Sequence, residues 1–134
     1  MSILTLRVLD VSPDGQCIAQ SGGFGVIRLW NIADQKIAAT LEGSPYNAIT
    51  GIKFAPDGKF LLTTTQEERA SIGTAYIWKL DGSKQPLRLT AIHGYLPPGP
   101  QLKFSRDGRR IAVADGGQAW VWDMDEVERN YGKQ

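Results

Sequence analysis

The sequence is short of the residues that usually carry chemistry. Its 134 residues include one cysteine, Cys17, and one histidine, His93. One cysteine forms no internal disulfide, and with one histidine beside it a zinc site of Cys and His ligands cannot be assembled within the chain, so both are expected to be structural. An excess of charge is lacking too. The 15 Lys and Arg stand against 14 Asp and Glu, a net charge of +1, which leaves no whole-chain footprint for nucleic acid or an anionic membrane. The best basic cluster, Lys103 with Arg109 and Arg110, is too small to hold a phosphate polymer. No apolar run approaches the roughly 18 residues that cross a bilayer. Met1 to Asp10 lacks a secretion signal's basic start and long apolar stretch. These absences lead us to expect a cytoplasmic protein with no membrane partner, no nucleic-acid partner, no cofactor and no metal.

What is present is an ordinary globular composition, with 42% hydrophobic and 22% charged residues. That excludes disorder and disulfide-dense scaffolds, and the length allows one compact domain. The chain also repeats itself. Ser12-Pro13-Asp14-Gly15, Ala55-Pro56-Asp57-Gly58 and Ser105-Arg106-Asp107-Gly108 are spaced 43 and 50 residues apart, and each is followed by a tryptophan, Trp30, Trp78 and Trp122, spaced 48 and 44. Two independent landmarks share one rhythm, the mark of an array of similar supersecondary units.

Each unit reads as strand, tight turn, strand, loop and strand. Pro sets φ near −65°, Asp bonds its own backbone and Gly takes the left-handed conformation, so Pro-Asp-Gly between apolar runs specifies a hairpin. Arg106 in place of Pro predicts a slightly less rigid third turn. Leu9 and Val11, Ile52 and Phe54, and Leu102 and Phe104 alternate with Asp10, Lys53 and Lys103, the period of a strand. The runs ending at Trp30, Trp78 and Trp122 carry large residues on both faces, as strands between stacked sheets do. Fourth strands are predicted at residues 36–41 and 86–91. Helical spacing is weak.

Four antiparallel strands per repeat, with a tryptophan closing the third, resemble a blade of the WD-repeat β-propeller family. The fold class implied is all-β, a propeller segment of three four-stranded antiparallel blades, the last lacking its outer strand. Blade one spans about residues 3–41, blade two 47–91 and blade three 100–124, with a polar tail at 125–134. The match is imperfect. Only Trp122 is followed by Asp, as Asp123; Trp30 and Trp78 precede Asn31 and Lys79. The family's Gly-His pair is absent, and its aspartate before the tryptophan is replaced by Phe24, Ile72 and Gly116. The resemblance implies that these groups form a buried hydrogen-bond network, so its loss is expected to spare the fold if all partners go together.

Three blades do not close a ring. A blade face of about five-residue strands measures on the order of 300 Å². Two open faces total on the order of 600 Å², at the upper end of what a monomer exposes. In the family the outer strand of the last blade commonly comes from the far end of the same chain. The sequence therefore looks like the final three blades of a larger propeller, or like one subunit of a ring built from several chains. For the latter, a head-to-tail homodimer giving six blades is favoured.

Catalytic candidates are thin. Asp14, Asp57 and Asp107 recur with the turn and read as turn formers beside Gly15, Gly58 and Gly108. Gly22-Gly23-Phe24-Gly25 joins strands with no helix after it, so it reads as a turn rather than a phosphate loop. Two loops exceed the repeat's needs, residues 66–74 with Glu67, Glu68 and Arg69, and residues 91–100 with His93, Tyr95, Pro97 and Pro98. They read as ordinary blade connections or as partner-binding loops. Trp120 reads either as core against the second blade or as an anchor for whatever covers the third. The expected function is a non-catalytic scaffold that binds protein partners. The alternative is a propeller enzyme or a small-ligand propeller, with its site near His93 or Glu67.

Overall fold

The computed structural model describes residues 8–22, 25–42, 47–67, 72–82, 85–93, 101–115 and 117–131. They form eleven strands and one helix: β1 Leu9–Val11, β2 Cys17–Ser21, β3 Val26–Asn31, β4 Lys36–Glu42, β5 Asn47–Phe54, β6 Phe60–Glu67, β7 Ile72–Lys79, β8 Leu87–His93, β9 Gln101–Phe104, β10 Arg110–Asp115, β11 Gln118–Asp123 and α1 Met124–Tyr131. The strands make three antiparallel sheets in chain order, β1-β2-β3-β4, β5-β6-β7-β8 and β9-β10-β11. The expected four-, four- and three-stranded pattern is the one observed.

The three repeated turns set this register, and they are built alike. Gly15, Gly58 and Gly108 sit at φ 73°, 73° and 72°, where a side chain would be strained. Each glycine N–H donates to the carbonyl three residues back, Ser12, Ala55 or Ser105, at 2.9 Å. The aspartates lock the turns from inside: Asp14 accepts from Gln16 N–H, Asp57 from Lys59 N–H and Asp107 from Arg109 N–H. Ser12 and Ser105 hydroxyls also donate to Asp14 and Asp107, each at 2.6 Å. These bonds hold both carboxyls below the ordinary aspartate range, the serine hydroxyl having the largest effect. Arg106 in place of proline leaves the third turn with the same closure, which the aspartate and glycine supply.

The sheets stack face to face in chain order, and two apolar clusters lie between them. Ala19, Ile27, Leu29 and Leu41 of the first sheet meet Ile49, Ile52, Phe54, Leu61 and Trp78 of the second. Leu62, Ala75 and Ile77, on the second sheet's other face, meet Leu102, Ile111 and Val113 of the third. The middle sheet is therefore covered on both sides, and Phe60 to Gln66 of β6 are all buried. Gly51 permits the second contact, because a Cβ there would stand 2.8 Å from Leu102 Cδ1. Asp10 stitches the first contact, its carboxylate accepting from Phe54 N–H at 2.8 Å.

The tryptophans do not lose all their polar partners. Trp78 Nε1 donates to Thr63 Oγ1 at 3.0 Å, and Trp30 Nε1 donates to Gln20 Oε1 at 3.2 Å. In each sheet the acceptor lies diagonally across the strand pair, since Trp30 faces Ile18 and Trp78 faces Leu61. The same diagonal position opposite Trp122, which faces Ile111, is Val113, an aliphatic residue with no acceptor. The expected wholesale deletion of the network is thus corrected: two blades keep an indole bond from a neighbouring strand.

The segment read as a polar tail also differs. Residues 124–131 form a helix whose Met124 and Val127 are buried in the second cluster. Tyr131 anchors its end: the hydroxyl donates to Ile77 C=O at 2.5 Å and accepts from Lys79 N–H at 3.1 Å. Asp125 and Glu126 in the first turn and Arg129 in the last suit the helix dipole. Three apolar residues at positions 124, 127 and 131 were enough, because a single docked stripe stabilises so short a helix.

Two outcomes follow for stability. Thr63→Val leaves the buried Trp78 indole N–H without its acceptor and is expected to destabilise the chain by about 1–3 kcal/mol in urea unfolding; Gln20→Leu, at half-buried Trp30, is expected to do less. Burial raises the Tyr131 hydroxyl above its ordinary value. The native state therefore holds that proton more tightly than the unfolded chain, and the contribution is complete below about pH 10 and is lost as pH climbs beyond it. Tyr131→Phe is expected to lower stability at pH 7 by about 1–2 kcal/mol and to flatten the alkaline fall, as read by thermal melts between pH 8 and 11.

Candidate functional site

Geometry gathers two of the candidate loops. β6 ends at Glu67 and β8 at His93, and β7 lies between them, with Ile72 paired to His93 and Gly73 to Gln66. Glu67 and His93 thus occupy one rim of the second sheet, about two strand spacings or ~10 Å apart, at the end opposite the Asp57 turn. The segment read as a loop over 66–74 is mostly strand, so Glu67 is the last residue of β6 and the hairpin reaches further than expected. Likewise His93 ends β8 instead of standing in a loop. Glu68, Arg69, Tyr95, Pro97 and Pro98 lie outside the described residues.

Trp120 is not on that rim. It is half-buried and, with Phe104 and Trp122, packs against the cluster between the second and third sheets. Of its two readings, the geometry matches core against the second blade. Gly22 N–H donates to Val26 C=O at 2.7 Å and Gly25 has φ 78°, the closure of a β2–β3 turn. Cys17 is half-buried in β2, and burial, with the Asp14 charge, raises its thiol, which lowers its reactivity. Arg109 pairs with Asp125, and Arg110 with Asp123 across the β10–β11 pair, so the basic cluster is locally neutralised. Among the described residues no group of three His, Cys, Asp or Glu side chains is placed to hold a metal ion, and no helix is long and apolar enough to cross a membrane.

The surface that stands out is the outward face of the first sheet. Asp10 points at the second sheet, so alternation along β1 turns Leu9 and Val11 the other way. They pair with Gln20 and Ile18, and Ile18 in turn with Trp30, which meets Ile37. Leu9 is 61% exposed, Val11 45% and Ile37 47%. Their counterparts by register on the second sheet include Ile52 and Phe54, 7% and 5% exposed. One face is thus apolar by the same repeat, and nothing among the described residues lies over it. No sequence signal marked Ile37, whose exposure depends on which neighbour is missing.

Comparisons with known proteins agree with this architecture. The family model described as "WD domain, G-beta repeat" matches residues 35–72. That stretch runs from the outer strand of the first sheet through β5 and β6 of the second, so the sequence unit straddles two sheets. Protein HIRA of Dictyostelium discoideum is 20% identical over 146 residues, covering 93% of this chain and 13% of that protein. Eukaryotic translation initiation factor 3 subunit I of Phaeosphaeria nodorum is 29% identical over 116 residues, covering 87% of this chain and 30% of its own length. Periodic tryptophan protein 2 of Saccharomyces cerevisiae is 25% identical over 122 residues, covering 84% and 13%. Residues 35–72 match the WD-repeat family model, and the chain is similar to these proteins over most of its length. It spans between 13% and 30% of the length of these three relatives. Its three antiparallel sheets are consistent with WD-repeat blades, and their repeated residues hold the turns.

Trp120→Ala tests the placement of that side chain. Because it is half-buried in the inter-blade cluster, its loss is expected to lower unfolding free energy by about 2 kcal/mol, below the ~3–5 of a fully buried tryptophan. A change under 0.5 kcal/mol, the scale of a surface residue, would place it outside the core.

Proposed function

We propose that this WD-repeat segment is a non-catalytic, cytoplasmic protein-interaction scaffold, completed by self-association or by the remaining blades of a longer propeller. The observation that carries the reading is the exposed apolar face of the first blade. Leu9 and Val11 stand where the second blade buries Ile52 and Phe54, Ile37 extends the same exposed face beside Trp30, and such a face marks an interaction site. The opposite open face, on the third blade, is lined by small residues: Ala112 pairs with Val121 and Ala114 with Ala119, and Val121 is 63% exposed. Large side chains facing small ones is how the first and second blades already meet, where Ala19 and Ala39 lie against the cluster of Phe54 and Trp78. A head-to-tail pair of chains would repeat that contact and give six blades, within the usual propeller range.

The rim that carries Glu67 and His93, with the sequence candidates Glu68, Arg69, Tyr95, Pro97 and Pro98 that follow them in the chain, is the proposed recognition surface for a protein partner, since loops on a rigid sheet commonly carry binding. One relative is by its printed name a subunit of a larger factor, which agrees with a role in assemblies. No constellation of nucleophile, base and orienting group has emerged from the described residues to favour an enzyme.

Light scattering tests the self-association. A single species of twice the 14.7 kDa chain mass is expected, and Leu9→Asp combined with Ile37→Asp is expected to return it to the mass of one chain with little change in melting temperature, because both side chains are already exposed. A monodisperse monomer for the unaltered chain would remove the homodimer.

A further inference from the structure

We propose that the cleft between the second and third sheets at their first strands, β5 and β9, binds a carboxylate side chain presented by an acidic segment of a protein partner. This site deepens the scaffold reading, on which it rests. Asp10, Lys53 and Lys103 hold one position in the three repeats, each just before Val11, Phe54 or Phe104 and paired to Ala19, Leu62 or Ala112. Where the first sheet meets the second, Asp10 fills that position, and its carboxylate accepts from Phe54 N–H at 2.8 Å. Where the second meets the third, the same position holds Lys53. A cation has replaced the anion.

The counterpart amide, that of Phe104, points the same way as Phe54's. Ser105 N–H donates to Arg110 C=O at 2.9 Å, as Ala55 N–H does to Phe60 C=O. Bonded and non-bonded pairs alternate along an antiparallel ladder, so Phe104, like Phe54, turns its N–H away from its own sheet. A cleft of about 330 Å³ lies along these strands, and Lys53, Lys103 and Phe104 line it together with Asp10, Pro13 and Pro56. Among the described residues neither lysine forms an ion pair.

Charge complementarity selects an anion, and the molecule's own example says which kind. Asp10 shows that a carboxylate oxygen suits the amide at this position, through the strong bond that an ionised acceptor makes. Two lysines add point charges that need no fixed geometry. Asp10 lines the same cleft, so its charge opposes a doubly charged phosphate more than a singly charged carboxylate. The chain has no acidic side chain of its own to spare for this place. Outside the described residues its one acidic side chain is Glu68, which follows Glu67 at the far end of β6 from the Asp57 turn. The acid therefore comes from a partner.

The experiment titrates the peptide acetyl-Ala-Glu-Ala-Glu-Ala-amide into the isotope-labelled full chain and follows the Phe104 amide proton by NMR. A saturable downfield movement is expected, with no response to the same peptide carrying Gln for Glu. Lys53→Asp supplies the carboxylate from within, as Asp10 does in the first contact, so Phe104 is expected downfield before any peptide is added and unresponsive afterwards. Should that variant fail to fold, Lys53→Met is expected to weaken binding by roughly fivefold, the scale of one ion pair. No response at Phe104, an equal response to the Gln peptide, or binding indifferent to Lys53→Met would overturn the proposal. Inorganic phosphate binding as tightly as the peptide would make this a small-anion site and overturn it too. Self-association abolished by Lys53→Asp would assign the carboxylate to a second copy, with the same result. A failure of the homodimer alone reads differently, as single-chain mass with the Phe104 response intact.

Discussion

The contact of one apolar sheet face with the next governs this molecule. A four-stranded antiparallel sheet presents two faces, and the repeat makes both of them apolar over much of their area. The middle sheet is therefore stable only between neighbours, and its β6 is buried from Phe60 to Gln66. Threonines tolerate that burial because they pair with each other or with the backbone, as Thr50 does with Thr64 at 2.9 Å. Among the described residues no buried side-chain nitrogen or oxygen lacks a partner. Burying unpaired hydroxyls would have opposed the stacking that the aliphatic residues drive.

The same constraint explains the surface. A face that packs in the second and third blades is exposed in the first because no blade precedes it among the described residues. Its side chains differ little in kind from those of its equivalents. Function in such a molecule is a matter of which faces and edges have neighbours, and the polar residues that hold the turns are occupied with their own backbone.

Much of the fold could be read in advance from particular residues. The Asp-Gly turns and the tryptophan spacing defined the hairpins, because the conformations they require are local and belong to few residue types. The strand alternation at Leu9 and Val11, at Ile52 and Phe54, and at Leu102 and Phe104 identified the face that would be apolar. The helix at 124–131 was not legible. Its stripe of Met124, Val127 and Tyr131 is short, and what holds it is the groove beside β7 and β8, where Tyr131 finds the Ile77 carbonyl and the Lys79 amide. The indole partners were also missed, because Thr63 and Gln20 lie 15 and 10 residues from their tryptophans and only the strand register brings them diagonal.

By itself the sequence determined the repeat, the turn chemistry and the all-β class, since each depends on backbone preferences acting over a few residues. Tertiary structure alone decided between the two readings of Trp120, which packs against the cluster between the second and third sheets, and brought Glu67 and His93 to one rim. Those facts depend on which strand lies beside which, and that is settled by packing between segments far apart in the chain.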